Sequence, residues 1–177
     1  MRAAAFSGSG VLMLAPVTLC LDYLGRAEFT AATSLGAGIA ARLAAGIMKC
    51  TSGDVFIADF DPKIQPVQVK RLVGFLPSDR PRNPFCAEDY FSYRAALWGL
   101  NPQAALTKGH ALLSMLDGLE RDEAALLAGI FLHDPQLIIL ERPGEGLREA
   151  AQSLAVSSAL FITYGPTDRV SRRIPPG

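Results

Sequence analysis

The residues best suited to chemistry lie at two places where an apolar segment gives way to small or charged residues. The first is Thr33–Gly38, a small-residue turn that contains Gly36 and Gly38 and precedes a segment of helical composition. Glycines in such a turn can expose backbone N–H groups, which attract phosphate together with the dipole of the following helix. The second is the apolar run Leu137–Leu140, which ends in Glu141. This carboxylate could hold a cation, and a solvated or arginine-paired acid is the alternative.

Other polar residues do not predict a separate site. Arg142 ends the same apolar run and stays protonated at any relevant pH, so it cannot act as a base. Asp54, Asp59 and Asp61 lack the ligand spacing of a calcium loop, and a solvated turn is expected. The chain has only two histidines, and His110 has no Cys or Asp neighbour at metal-ligand spacing. Neither a Ser-His-Asp triad nor a metal centre at these residues is therefore predicted.

The elements that must position these residues alternate between strand-like and helix-like segments. Such alternation predicts an open α/β sheet with mainly parallel pairing and flanking helices. We expect one domain over 1–177, with a helical insert over about 84–119 that follows a proline-rich loop at Ser78–Pro84. Strands are predicted at Val17–Tyr23, Glu28–Ala32, Asp54–Phe60, Leu72–Pro77, Gln136–Glu141 and Ala159–Tyr164. Helices are predicted at Ile39–Lys49, Val67–Arg71, Ala87–Leu100, Pro102–Leu119, Glu120–Leu132 and Leu147–Ser153.

Composition excludes several classes of protein. The 177 residues carry 17 Lys+Arg and 17 Asp+Glu, and half of them are hydrophobic. This balance argues against a basic nucleic-acid-binding surface and against a disordered chain. Three cysteines at irregular spacings do not form a disulfide framework or a zinc ribbon. Because only 19% of the residues are charged, part of the surface is expected to meet a partner.

Two apolar stretches have a composition similar to that of targeting or membrane segments. Val11–Leu21 could serve as the core of an export signal ending at Cys20, but Leu19 is too large for an ordinary cleavage site and Pro16 interrupts the run. A buried strand is the preferred interpretation. Ala31–Met48 falls short of the roughly 20 clean apolar residues that a membrane span requires. No transmembrane helix is expected.

Three segments, in order along the chain, resemble ATP-binding cassette (ABC) transporter ATP-binding domains. Leu43–Ile57 is similar to the helix, Thr-Ser-Gly turn and strand that follow the phosphate loop of that family. Val73–Asp79 resembles the strand before the glutamine loop, and Phe131–Leu147 resembles the Walker B strand with its flanking turns. The likeness covers roughly residues 17–174 and implies a P-loop NTPase-like sheet. It begins without a clear strand or aromatic platform for an adenine before Val17.

The resemblance also implies which functional residues have been lost. The phosphate loop aligns with Ala31–Ile39, where Gly36 matches the glycine before the lysine. Ala37 stands at the lysine, and Gly38 and Ile39 stand at the two Ser/Thr positions, so the cation and the metal ligand are missing. Gly36 and Gly38 could still present backbone N–H groups to a phosphate, and an ordinary strand-to-helix turn is the alternative.

The remaining positions of the family's active site are changed as well. Glu141 corresponds to the Walker B aspartate and Arg142 to the catalytic glutamate. Ser78 stands for the glutamine, and Tyr164 for the switch histidine. The signature Ser-Gly-Gly falls near Gly118–Glu120, where one glycine remains. The resemblance thus implies a pseudo-ATPase that needs no cofactor, with ATP and magnesium doubtful and Glu141 the residual candidate for a metal.

The segment Ala87–Leu100 is a candidate for partner contact. Tyr90, Arg94 and Leu97 share one face of the predicted helix, and Phe91 and Trp98 share another, so one face could pack while the other docks. By resemblance, the segment from Ser78 to Trp98 is where a membrane permease would rest.

The expected function is a non-hydrolysing subunit of a transporter complex on the cytoplasmic side of the inner membrane. Its partners would be a permease and a second ABC ATPase, with no nucleic acid. A stand-alone scaffold and a nucleotide sensor without hydrolysis are the alternatives.

Overall fold

The computed structural model describes residues 2–8, 11–79, 86–154, 157–165 and 169–173. These residues form eight strands and six helices. The strands are β1 (Arg2–Gly8), β2 (Val11–Val17), β3 (Arg26–Ala31), β4 (Ser52–Asp54), β5 (Val73–Leu76), β6 (Leu137–Glu141), β7 (Ser158–Tyr164) and β8 (Arg169–Arg173). The helices are α1 (Ser34–Ala44), α2 (Pro66–Leu72), α3 (Ala87–Trp98), α4 (Pro102–Ser114), α5 (Arg121–Phe131) and α6 (Glu145–Leu154).

The larger sheet has five strands in the order β5-β6-β7-β3-β8. β5, β6, β7 and β3 pair in parallel, and β8 adds an antiparallel edge to β3. The central strands β6 and β7 are buried over almost their whole length, as their continuous apolar sequences require when both sheet faces are covered. The predicted α/β class with a mainly parallel sheet is confirmed. β8 was not predicted, because an arginine-rich segment does not show an apolar strand pattern.

A smaller antiparallel sheet, in the order β2-β1-β4, precedes and flanks the larger one. β1 and β2 both begin before Val17, where the resemblance begins without a clear strand, and β2 confirms a strand in the first part of the apolar run Val11–Leu21. β1 is alanine-rich and lacks the usual β-branched residues. Pro16, which interrupted the apolar run, is tolerated because β2 lies at the edge of its sheet. The strand predicted at Val17–Tyr23 was wrong, because β2 ends at Val17.

The strand predicted at Asp54–Phe60 is only partly present. β4 ends at Asp54, and the chain then reverses between Ile57 and Phe60, whose N–H and C=O groups are bonded to each other at 3.0 Å in both directions. The two residues between them, Ala58 and Asp59, have left-handed φ angles of 46° and 66°. A turn of this kind is favoured by Asn, Asp and Gly, so the alanine hid it from sequence reasoning.

The two faces of the large sheet are covered by different layers. Alternate residues along β6 point to opposite sides, with Ile139 in the core formed with α1 and the small sheet, and Ile138 in the core formed with α3, α5 and α6. α3 and α4 also pack on each other, with the ring of Phe91 lying directly against the backbone of Gly109. The predicted loop at Ser78–Pro84 lies mostly outside the described residues. In the described part of the chain, no helix has the length and apolar character needed to cross a membrane.

Candidate functional site

The candidate site lies at the edge of the large sheet where the parallel strands β3, β5, β6 and β7 end. Parallel strands bring their carboxyl ends to the same edge, so residues far apart in sequence meet there. β5 leads into Ser78, β6 ends at Glu141 and leads into Arg142, and β7 ends at Tyr164. β3 leads into α1 through Ala32 and Thr33. The four residues that the sequence singled out at strand ends therefore all lie at this edge: Ser78, Glu141, Arg142 and Tyr164.

The segment aligned with the phosphate loop is mostly helical. Thr33 caps α1: its hydroxyl accepts from the Gly36 N–H at 3.0 Å, and its carbonyl accepts from the Ala37 N–H at 3.0 Å. α1 therefore begins at Ser34, five residues before the predicted start at Ile39. Gly36 and Gly38 lie buried within the helix. The amides of Gly36 and Ala37 have acceptors inside the protein.

Glu141 is a buried carboxylate whose partners come from two other elements. Its side chain is 5% exposed. The Ser78 hydroxyl donates to Oε1 at 3.0 Å, and the Ser78 N–H donates to Oε2 at 3.4 Å. On the α1 side, Arg42 Nη1 lies 3.5 Å from Oε2. The acid is arginine-paired, as one sequence interpretation held, and it is not solvated.

Arg42 connects α1 to two carboxylates. Nη1 also donates to the Gly38 carbonyl at 3.1 Å, and Nη2 donates to both Asp79 oxygens at 3.0 and 3.1 Å. A β-carbon on Gly38 would lie 3.0 Å from Arg42 Nη1 and 3.2 Å from Glu141 Oε1. The ion pair thus covers the position at which the resemblance expects the side chain of a magnesium ligand.

Arg142 closes the other side of the site in a strained backbone conformation. Its φ is 48°, a left-handed value that is costly for a residue with a β-carbon, and its N–H is held by the Ile162 carbonyl at 2.7 Å. The guanidinium donates to the Ser34 hydroxyl at 3.1 Å and to the Ser78 hydroxyl at 2.7 Å. It also lies 5.7 Å from the centre of the Tyr164 ring. Arg142 thus connects the ends of β3, β5 and β7.

The site consequently contains two arginines and two carboxylates, so its formal charges sum to zero. Arg42 pairs with both carboxylates, whereas Arg142 donates to hydroxyl groups. Sequence reasoning singled out Glu141, Arg142, Ser78 and Tyr164, and the structure brings them together. It missed the pairing roles of Arg42 and Asp79. Arg42 carried a signal, since it is a charged residue in the otherwise apolar run Ala31–Met48, and such a residue needs a partner when buried.

No metal-binding cluster accompanies this site. Within the described ranges, no group of three or more His, Cys, Asp or Glu side chains is placed to hold a metal ion. The two carboxylates at the site, Glu141 and Asp79, are both engaged by Arg42. A role for Glu141 in metal binding, and for Gly36 and Gly38 in phosphate binding, stays a prediction.

A second contact, through His133, joins α3 to the amino-terminal end of β5, away from the carboxyl ends of the strands. The rings of Trp98 and His133 stack with centroids 4.3 Å apart, and His133 Nε2 lies 3.2 Å from the Val73 carbonyl. Burial, followed by the nearby Arg94 and Lys108 charges, lowers the pKa of His133 despite its hydrogen bond to Val73. This histidine is a structural residue in the turn that follows α5.

The aromatic residues of α3 divide between the core and the surface. Phe91 is fully buried and Tyr90 packs on Gly129, whereas Tyr93 and Leu97 are 50% and 57% exposed. The predicted faces are therefore shifted, because Tyr90 belongs to the packed side and Leu97 to the exposed side. Tyr93 and Leu97 are one helical turn apart, so they form a small exposed face, here called the α3 face.

Comparison with known proteins supports the fold. No family model matches the sequence. Among solved structures, an ATP-binding subunit of an ABC transporter superposes with a TM-score of 0.72 at 16% identity, covering 92% of this chain and 78% of that one. CbiO1 from Clostridium perfringens, part of the ABC transporter complex CbiONQ, gives 0.71 at 13% identity, covering 93% and 77%. A putative ABC transporter ATP-binding protein from Pyrococcus furiosus gives 0.64 at 16% identity, covering 90% and 88%.

Helices on both faces of a mainly parallel sheet, with the candidate site at the strand ends, define a P-loop NTPase-like α/β protein. Within that class, the chain has the fold of the ATP-binding subunits of ABC transporters. The resemblance read from three sequence segments is therefore confirmed at the level of fold.

Proposed function

We propose that this protein is a degenerate ABC-type subunit that does not hydrolyse ATP and acts as a non-catalytic member of a membrane transporter complex. The ion pair between Arg42 and Glu141 is the observation that carries the proposal. In the family that the fold resembles, a lysine, a Ser/Thr and acidic residues hold the phosphates and magnesium. Here Arg42 forms an ion pair with Glu141, the acidic residue at the corresponding position.

The side chains present at the site support the proposal that the protein does not hydrolyse ATP. Ala37 offers no cation to a phosphate, and Gly38 offers no oxygen to a metal. A magnesium ion would have to displace Arg42 from both Glu141 and Asp79. Arg142 at the position of the general base cannot accept a proton. Removing one preorganised charge from such sites costs about 10²–10³-fold in rate, so several losses together are incompatible with turnover.

An assay of the purified chain tests this proposal. We expect no magnesium-dependent release of phosphate from ATP and no thermal stabilisation by ATP, ADP or their magnesium complexes. A ligand at 100 times its dissociation constant would add about 2.7 kcal/mol to the stability, which a melting experiment detects readily. Turnover that is lost in Glu141→Gln would overturn the proposal. Stabilisation by nucleotide without turnover would instead support the sensor alternative.

The expected partner is a membrane permease, with an active ABC ATPase as a further subunit. The α3 face supports this part of the proposal, because tyrosines such as Tyr93 are enriched among interface anchors and Leu97 adds exposed apolar surface beside it. The placement at the cytoplasmic face of the inner membrane, through that partner, follows from the same proposal. CbiO1, to which the fold is similar, is itself part of a transporter complex.

Co-expression tests the partner. The chain should purify together with a multi-span membrane protein encoded beside it, and Leu97→Glu should reduce the recovery of that protein. Tyr23→Glu is the matched control, since Tyr23 is 80% exposed and lies outside the α3 face. Equal recovery with all three forms would reject the α3 face as the contact. Absence of any membrane partner would favour the stand-alone scaffold.

A further inference from the structure

Three of the four lysines in the chain line a single cleft. The cleft has a volume of about 230 Å³ and lies between the segment after α1 and the loop that leads into α2. Lys49 follows α1, Lys63 belongs to the loop, and Lys70 lies on α2, so the three ammonium groups come from three separate segments. None of the arginines whose side chains the structure describes lines this cleft.

The cleft carries a net positive charge. Asp61 is its one acidic lining residue, and Asp61 Oδ1 already accepts from the Lys63 N–H at 2.7 Å. Among the described residues, the one hydrogen-bond contact of Lys63 Nζ is a long one of 3.5 Å to the Gly53 carbonyl. Lys49 and Lys70 form no hydrogen bond or ion pair with the described residues. Three lysines against one carboxylate leave an excess of two positive charges.

The walls of the cleft are largely apolar and closely packed. Val55 is buried in the core beneath it, and Pro62 and Pro66 border it. Gly46, with a φ of 68°, allows the end of α1 to approach this region, because a β-carbon there would lie 2.7 Å from a Val69 methyl group and 3.1 Å from Pro62. The shape is therefore set by backbone and proline packing, and the charge is carried by flexible side chains at the rim.

We propose that this cleft binds a phosphate-bearing anion. Lysines act as point charges for phosphate groups, and the volume is below the roughly 300–1,000 Å³ of pockets for drug-sized ligands, so it suits a small phosphate compound or a phospholipid headgroup. The site is distinct from the one at Glu141. It lies at the opposite end of α1, whose eleven residues span about 16 Å, and it goes beyond the function proposed above.

Two probes separate the possible sources of the phosphate group. Pyrophosphate is titrated into the protein by calorimetry, and vesicles of phosphatidylglycerol with phosphatidylcholine are compared with pure phosphatidylcholine by sedimentation. We expect saturable, salt-sensitive binding to at least one of the anionic probes. Binding to pyrophosphate identifies a soluble ligand, and binding to the anionic vesicles alone identifies a headgroup.

The variant that tests the site is Lys49→Gln combined with Lys70→Gln. We expect it to weaken binding by roughly tenfold or more, because charge-assisted contacts to phosphate are lost. Arg71→Gln combined with Arg121→Gln is the control, since it removes the same charge from exposed positions outside the cleft. An equal loss in both double variants would overturn the proposal, as would the absence of binding to both probes.

Cysteine modification provides an independent readout at the site. Cys50 lines the cleft and is half-buried, whereas Cys20 and Cys86 are exposed elsewhere. A saturating anionic probe should slow the alkylation of Cys50 and leave the rates of Cys20 and Cys86 unchanged. A structural role of the lysines, as complements to the helix ends, predicts no such protection.

Discussion

The Arg42 guanidinium lies 3.5 Å from the buried carboxylate of Glu141, and the two residues are 99 positions apart in the sequence. Arg42 belongs to the helix that follows the first strand of the large sheet, and Glu141 ends the strand two positions away in that sheet. The pair lies at the edge where the parallel strands end, which is where ligands bind in open α/β sheets. The charge of the buried Glu141 carboxylate is thus compensated by Arg42.

Removing Glu141 should destabilise the protein. Glu141→Ala removes one of the two described carboxylate partners of Arg42 and leaves the Ser78 groups without their buried acceptor. We expect a loss of about 2–3 kcal/mol in the free energy of unfolding, measured by urea denaturation. Glu149→Ala removes an exposed acid and should change stability by less than about 0.5 kcal/mol. Equal effects of the two changes would contradict a structural role of the ion pair.

Adding a methyl group at Gly109 should disrupt the packing of α3 on α4. A β-carbon there would overlap the fully buried ring of Phe91, which has no room to move. We expect Gly109→Ala to cost about 2–3 kcal/mol in thermal or urea unfolding. Gly144→Ala is the matched control, because nothing lies within 4 Å of its added β-carbon. A neutral Gly109→Ala would mean that the two helices can separate at little cost.

The protein should lose stability as the pH falls below about 6.5, in part through His133. Burial lowers the pKa of His133 in the folded state, whereas the unfolded chain keeps a value near 6.5. Below that value the unfolded chain binds a proton at His133 that the folded protein does not bind. The contribution of His133 to stability is therefore complete above pH 6.5 and is lost as the pH falls toward the pKa of the folded state.

The comparison that checks this effect is between His133→Gln and His110→Gln in urea unfolding at pH 7.5 and pH 5.5. The His133 variant should be less stable at pH 7.5 and should lose less on acidification than the parent protein. His110→Gln is the control, because His110 is about half exposed and lies outside the contact between Trp98 and His133. The same decline in all three proteins would assign the acid sensitivity to other groups.

Relieving the turn between Ile57 and Phe60 should stabilise the protein. Ala58 is exposed and holds a left-handed φ of 46°, which Asn adopts more readily than Ala. We expect Ala58→Asn to add about 0.5–1 kcal/mol, seen as a rise in the urea midpoint. Ala96→Asn, at an exposed helical position of α3, should lower the midpoint instead. A loss of stability in Ala58→Asn would show that the strain is held by other contacts.

The sequence by itself determined the class of fold and the residues that its likeness to cassette domains singles out. The apolar strand Leu137–Leu140 and the helices α3, α4 and α5 follow from local patterns, because continuous apolar runs and capping residues act within a few positions. Ala37 and Arg142 also indicate from the sequence alone that catalytic groups have been replaced. A missing ammonium group or an always-charged guanidinium changes the chemistry wherever the residue lies.

Tertiary structure alone decided which charges meet. Arg42 with Glu141, and Arg142 with Ser34 across 108 positions, are brought together because the parallel strands end at one edge, and no local pattern encodes such a pairing. The lysine cleft was invisible for the same reason, since its three lysines lie on separate segments. Local interactions select the elements, whereas side-chain partners depend on how the whole chain packs.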